Sequence, residues 1–177
     1  MDPNVKDSHL VALEKLPDLE ALYCGGRHIT DAGLIHLKTL RQLRVIGLPH
    51  SVTGPGLAHL TDLPELRAVH FWNGDRLTDE AMMYLSHLKN LETIRVNSAP
   101  ISDDALKHLR ALKHLAHLDI GRCQRITDKG LSYLMDCPSL RELNVRETGI
   151  TGAAVARFRQ ARPECEVFTE FKPQYRD

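Results

Sequence analysis

Several features are missing from this sequence, and each absence narrows its class. No run approaches 18 consecutive apolar residues, so there is no candidate membrane-spanning helix and no membrane partner is expected. There is no excess of either charge: 23 Lys+Arg stand against 23 Asp+Glu. That balance argues against a nucleic-acid partner, which would draw on a basic face or stripe. Cysteine is sparse. The four thiols, Cys24, Cys123, Cys137 and Cys165, form no Cys-x-x-Cys pair. They lack the paired spacing of a zinc site and read as small buried side chains of a reducing, cytoplasmic setting. The first ten residues, MDPNVKDSHL, contain no apolar signal core and no Arg-rich presequence. No Gly-x-Ser-x-Gly elbow or phosphate-binding glycine loop occurs, and Gly25-Gly26 reads as a turn. No cofactor, metal or catalytic constellation is therefore expected.

What is present is a period. Leu19, Leu43, Leu66, Leu91, Leu115 and Leu140 recur every 23 to 25 residues, with Cys165 in register as a seventh site. Leu22, Ile46, Val69, Ile94, Leu118 and Leu143 follow three residues after each. A later column runs Ile29, Val52, Leu77, Ile101, Ile126 and Ile150. Leu34, Leu57, Met82, Leu106, Leu131 and Val155 then begin a helical face. Regular periods of this length mark a solenoid, in which each unit buries its apolar face only against its neighbours.

The stretch Leu115–Leu140 shows the unit best: alternating Leu118 and Ile120, then Cys123, Ile126-Thr127-Asp128, Gly130-Leu131, Leu134 and Cys137. It resembles the cysteine-containing subtype of the leucine-rich repeat family, which F-box substrate receptors use. Ile29-Thr30-Asp31-Ala32-Gly33-Leu34 and Arg162-Pro163-Glu164-Cys165-Glu166-Val167 are similar to bacterial members with an "ITDAGL" repeat. The resemblance spans roughly residues 10 to 168. It implies an α/β solenoid, a right-handed leucine-rich-repeat horseshoe with about seven short parallel strands on the concave side and helices on the convex side. Many members carry Asn at the turn after the strand. Here that site holds Arg27, Ser51, Gly74, Ala99, Cys123 and Thr148, so no asparagine ladder is expected.

The chain divides into a capping half-repeat over 1–16, six repeats over 17–161, and a terminal strand with a tail over 162–177. In the half-repeat, Leu10, Leu13 and Leu16 form the apolar face and Ser8 is the expected N-cap. Thr30, Thr53, Thr78, Ser102, Thr127 and Thr151 stand at helix starts as N-caps. Asp31, Asp79, Asp103 and Asp128 follow four of them, where the helix dipole favours negative charge. They read as capping groups rather than metal ligands. In repeat two, Gly54 and Gly56 weaken the helix. Phe171 and Tyr175 are expected either to fold over the last repeat or to leave the C-terminal strand edge open for pairing.

Side chains alternate across a strand, so the residues flanking each second leucine point out of the concave sheet. There repeats one and two carry mostly small or apolar residues, Tyr23 being the large exception. Repeats three to six carry His70, Trp72, Arg95, Asn97, His117, Asp119, Arg122, Asn144 and Arg146. Trp72 is the only tryptophan, and Trp, Tyr and Arg dominate binding hot spots. Trp72 has an alternative place, tucked against Gly74-Asp75. His36, His59 and His108 share one helix column and read as half-exposed packing. His70, His117 and Asp119 are near one another in the concave columns, but Arg95 stands between them and disfavours a cation.

The reading that follows is non-enzymatic recognition of a protein or peptide by a monomer through the concave face of repeats three to six. The alternative is a substrate-receptor or adaptor subunit of a ubiquitin-ligase-like or other assembly, although 16 residues before repeat one are too few for an F-box. A His70–His117–Asp119 enzyme site is the weakest of the three.

Overall fold

The computed structural model describes residues 5–170. Seven strands form one parallel sheet in chain order: β1 (Ala21–Tyr23), β2 (Val45–Leu48), β3 (Ala68–Phe71), β4 (Thr93–Arg95), β5 (His117–Asp119), β6 (Glu142–Asn144) and β7 (Glu166–Phe168). Each pairs with the next, so Leu22, Ile46, Val69, Ile94, Leu118, Leu143 and Val167 stand in one row. Strands stack ~4.8 Å apart, whereas helices need ~8–10 Å. The mismatch between the two layers curves the stack and leaves the sheet concave, as the sequence period predicts.

The apolar columns form the core. Leu43, Ile46, Leu57, Ile94, Leu115, Ile126 and Leu143 are completely or almost completely buried, and the row runs unbroken from repeat one to Val167. Burying one such side chain is worth ~1.5–3 kcal/mol. The core thins at the N-terminal end, where Leu13, Leu19 and Leu22 are only half-buried.

Several local expectations need correction. The half-repeat is a short helix, α1 (Asp7–Leu10), with Lys6 rather than Ser8 at the N-cap, continued by a 3-10 turn over Val11–Lys15. Only its Leu10 is buried, and Leu16 is exposed. The return segments of repeats one and two, Asp31–Leu37 and Pro55–Leu60, are 3-10 rather than α-helical. The true α-helices are α2 (Asp79–Leu85), α3 (Asp103–Leu109), α4 (Asp128–Tyr133) and α5 (Gly152–Ala161). Glycine is unfavourable in an α-helix interior, and Gly33 and Gly56 both sit in the 3-10 pair, held close to the preceding unit. Phe171 and Tyr175 lie outside the described residues.

The helix starts do more than cap. Asp7 accepts hydrogen bonds from Thr30 N and Oγ1, both at 2.7 Å. Asp31 accepts from Thr53 N (3.0 Å) and Oγ1 (2.6 Å), Gly54 N (3.2 Å) and Gly56 N (2.8 Å). Asp79 accepts from Ser102 N at 2.7 Å and Oγ at 2.5 Å. Asp103 accepts from Thr127 N and Oγ1, both at 2.7 Å, and Gly130 N at 2.9 Å. Asp128 accepts from Thr151 N (2.7 Å) and Oγ1 (2.9 Å). Each carboxylate thus ties its own repeat to the next by charge-assisted bonds. A Cβ on Gly33 or Gly130 would collide with the Asp7 or Asp103 carboxylate, which explains glycine there.

One joint lacks this tie. Repeat two has Gly54 in place of aspartate, at φ +147°, and Ala81 of repeat three packs directly against it. Thr78 begins α2 with no side-chain capping bond, and Thr53 likewise caps nothing, because Gly54 is the N-cap of its segment.

Candidate functional site

The concave sheet positions every candidate side chain. Register sets Tyr23, Gly47, His70, Arg95, Asp119, Asn144 and Phe168 in one row. Phe168 was not singled out in the sequence. Its signal was available: Val167 continues the buried row, so the residue after it must face the concave side.

The row splits into two surfaces. Around β4 to β7 lies an open concavity of about 290 Å³, lined by Thr93, Ile94, Arg95, His117, Leu118, Asp119, Glu142, Asn144 and Phe168. Ile94 and Leu118 are buried on the core side of the sheet, so Phe168 is the apolar side chain of the lining, and charges of both signs form the walls. Asp119 is buried, unlike its neighbours, and its Oδ1 accepts from Gly121 N at 2.9 Å. With its amide nitrogen turned towards that carboxylate, Asn97 reaches the two Asp119 oxygens at 2.5 and 3.1 Å. Asn144 Oδ1 accepts from Arg146 N at 3.0 Å. Asp119 and Asn144 therefore brace the loops that follow their strands. His117 is exposed, 3.9 Å from Glu142.

At the rim, Arg122 and Glu147 hold positive φ values of 64° and 55°, and Ser98 holds 60° at the same position of repeat four. Non-glycine residues seldom adopt this region. In these turns the backbone of each repeat bonds the next, Ser98 N to Gly121 O at 2.9 Å and Arg122 N to Arg146 O at 2.7 Å. Glu147 then bridges Arg122 at 3.4 Å and Arg146 at 3.3 Å.

The second surface covers β1 to β3. Trp72 does not tuck against Gly74-Asp75. It leans the other way, across Gly47, to Tyr23, with ring centroids 6.0 Å apart and planes tilted by 51°. Gly47 is what permits this: a Cβ there would lie 2.6 Å from Tyr23 Cδ1 and 3.3 Å from the Trp72 ring. Both rings stay exposed, Tyr23 at 41% and Trp72 at 48%. His70 separates the two surfaces. Burial, and then the nearby Arg95 charge, pull its pKa down to about 4, so it is neutral near pH 7. The Arg95 guanidinium beside His70 repels a cation, and among the described residues no group of three or more His, Cys, Asp or Glu is placed to hold a metal ion.

On the convex side His36, His59 and His108 are half-buried, and His36 Nδ1 lies 2.8 Å from Glu14 Oε1, tying the half-repeat to repeat one. All four cysteines are buried and free. Burial pushes Cys24, Cys137 and Cys165 up to about 11 and Cys123 up to about 12. Cys123 donates to Val96 O at 3.2 Å and Ser51 Oγ to Ile29 O at 2.5 Å, so two of the six turn sites link repeats without asparagine.

A family model described as a leucine-rich repeat matches residues 111–135, the stretch that carries β5 and α4. The fold is a leucine-rich-repeat solenoid. Solved structures agree with it. An internalin of Listeria monocytogenes aligns over 96% of this chain and 52% of its own, at 18% identity and TM-score 0.66. Internalin C2 of the same organism aligns over 77% and 55%, at 19% identity and TM-score 0.57. A leucine-rich-repeat protein of Leptospira interrogans aligns over 89% and 50%, at 18% identity and TM-score 0.52. The chain thus spans about half the length of each. At these identities the likeness is one of fold. No curated protein matches the sequence.

Proposed function

We propose that this solenoid is a non-enzymatic binding module that takes a protein or peptide partner on its concave face, centred on repeats three to six. The observation that carries the reading is the concavity over β4 to β7, where Arg95, His117, Glu142 and Asn144 line one open surface with the ring of Phe168. Mixed charge beside one apolar ring suits a folded protein surface or a polar peptide, since it offers complementary groups of both signs and one apolar anchor. The leucine-rich-repeat fold, commonly used for protein–protein interaction, supports the same reading. The free thiols support a reducing, cytoplasmic location, and Cys123 and Cys137 in repeat five support the cysteine-containing subtype.

The test is affinity capture from the source organism with three baits. The wild type is compared with Arg95→Glu/Arg146→Glu on the concave face and Lys107→Glu/Lys113→Glu on the convex face. Loss of captured partners in the concave variant alone supports the reading. Loss in the convex variant alone sinks it.

A further inference from the structure

The paired rings of Tyr23 and Trp72 form a feature distinct from the charged concavity. We propose that they are a docking site for a proline-rich segment in polyproline II conformation; the proposal rests on the concave face being the recognition surface and names one kind of partner for it. Four observations lead there. The rings are held together by design of the strand between them: Gly47 leaves the floor empty, and the rings close over it at 6.0 Å. Their planes are tilted by 51° and both rings stay exposed, so together they present an aromatic platform. The Trp72 edge bearing Nε1 and Cζ2 faces Gly47, so the part turned outward is carbon. The concave positions of β1 to β3 are Ala21, Tyr23, Val45, Gly47, Ala68 and His70, none of them an acid, a lysine or an arginine, and His70 is neutral near pH 7.

An exposed aromatic platform with no charged side chain in its own strand rows favours a ligand that is apolar, rigid and already extended. Proline-rich segments meet these conditions, because the polyproline II helix is preformed and carries pyrrolidine rings that pack on aromatic faces. Its rise is ~3.1 Å per residue, so two residues span about the separation of the rings. A neutral oligosaccharide also stacks on aromatic rings. It relies on hydrogen bonds that the outward carbon edge of Trp72 does not offer.

Trp72 is the only tryptophan, so its fluorescence reports on this site alone. The full chain is titrated with a decaproline peptide, with a Gly-Ser decapeptide and with cellohexaose. The expected result is a saturable change with decaproline only, weakened about tenfold or more by Tyr23→Ala, which removes an exposed ring. Gly47→Ala should weaken it as well, by driving the rings apart while keeping both; circular dichroism checks that each variant is folded. No saturable change with decaproline, equal binding of the Gly-Ser peptide, binding of cellohexaose alone, or a Tyr23→Ala variant that binds as wild type would each overturn the proposal. Failure here with capture still lost in the Arg95→Glu/Arg146→Glu bait would leave the concave-face reading standing and remove only the proline-rich partner.

Discussion

In repeats one and two the return segments are 3-10 turns, and the concave side carries Tyr23 and Gly47. In repeats four to six the return segments are α-helices, the strand-following turns place Ser98, Arg122 and Glu147 at positive φ, and the concave side carries Arg95, His117, Glu142 and Asn144. The corresponding turn residues of the first three repeats, Gly26, His50 and Asn73, show no positive φ. The same apolar columns serve both halves. The core therefore sets the period, while the turns and outward positions are free to diverge. The aspartate ties mark the same division, for they run through every joint between consecutive repeats except the one from repeat two to repeat three.

The largest expected contrast lies in the leucine row. Leu118 is 2% exposed between β4 and β6, and Leu118→Ala should cost ~2–5 kcal/mol. Leu22 is half-buried at the thin end, and Leu22→Ala should cost about 1 kcal/mol, because part of its surface already meets water. Equal losses in denaturant titration would mean that the two ends of the core are equally closed.

Next come the ties. Asp31→Ala removes four hydrogen bonds and should cost about 1–3 kcal/mol after allowance for its partial exposure. Thr78→Ala sits at the untied joint and should cost less than ~0.5 kcal/mol, in line with ordinary surface substitutions. A large loss at Thr78 would show that its hydroxyl has a partner other than an aspartate of repeat two.

Acid sharpens the same contrast. Burial alone would raise the Asp31 pKa, but the bonds from Thr53, Gly56 and Gly54 outweigh it and leave the carboxyl below its ordinary value. The Thr151 bonds lower Asp128 likewise. A depressed carboxylate contributes stability that is fully present above its unfolded pKa, ~3.9, and is lost as pH falls through the lower folded value. Below about pH 4 the wild type should therefore lose stability more steeply than Asp31→Asn, which has no such proton to take up. Parallel acid limbs in the two proteins would remove Asp31 from the account. The smallest effect concerns the thiols. Thiol titration at pH 8 should find few reactive groups in the native protein and four after unfolding, because burial holds all four pKa values near 11 to 12.

The fold was legible because each repeat states the same apolar pattern, and six restatements fix strand order and register without any long-range signal; at the seventh strand the register is one residue off the Cys165 count, with Val167 rather than Phe168 in the leucine row. The concave row was legible for the same reason. What the columns did not reveal were contacts that run between columns or skip a repeat. Trp72 reaches Tyr23 two strands away only because Gly47 is empty, and a column reading treats Gly47 as a small residue without consequence. Asp119 looked like a surface group, yet its oxygens are taken by Gly121 and Asn97. The Thr-Asp pairs read as local caps because capping chemistry is local. Their second role was written in the pattern nonetheless, since each Asp is followed one repeat later by Thr or Ser. The 3-10 turns of repeat one were not legible, because Gly33 is explained only by the Asp7 carboxylate pressed against it.

The central claim is that the concave face of repeats three to six receives the partner. Amide hydrogen exchange of the full chain, alone and with its captured partner, tests it most directly. The account predicts slowed exchange in the strand-following loops 97–99, 121–124 and 146–149 at the rim of the concavity, with the convex helices α2 to α4 unchanged. Protection confined to α2 to α4, with those loops exchanging as in the free protein, would contradict it.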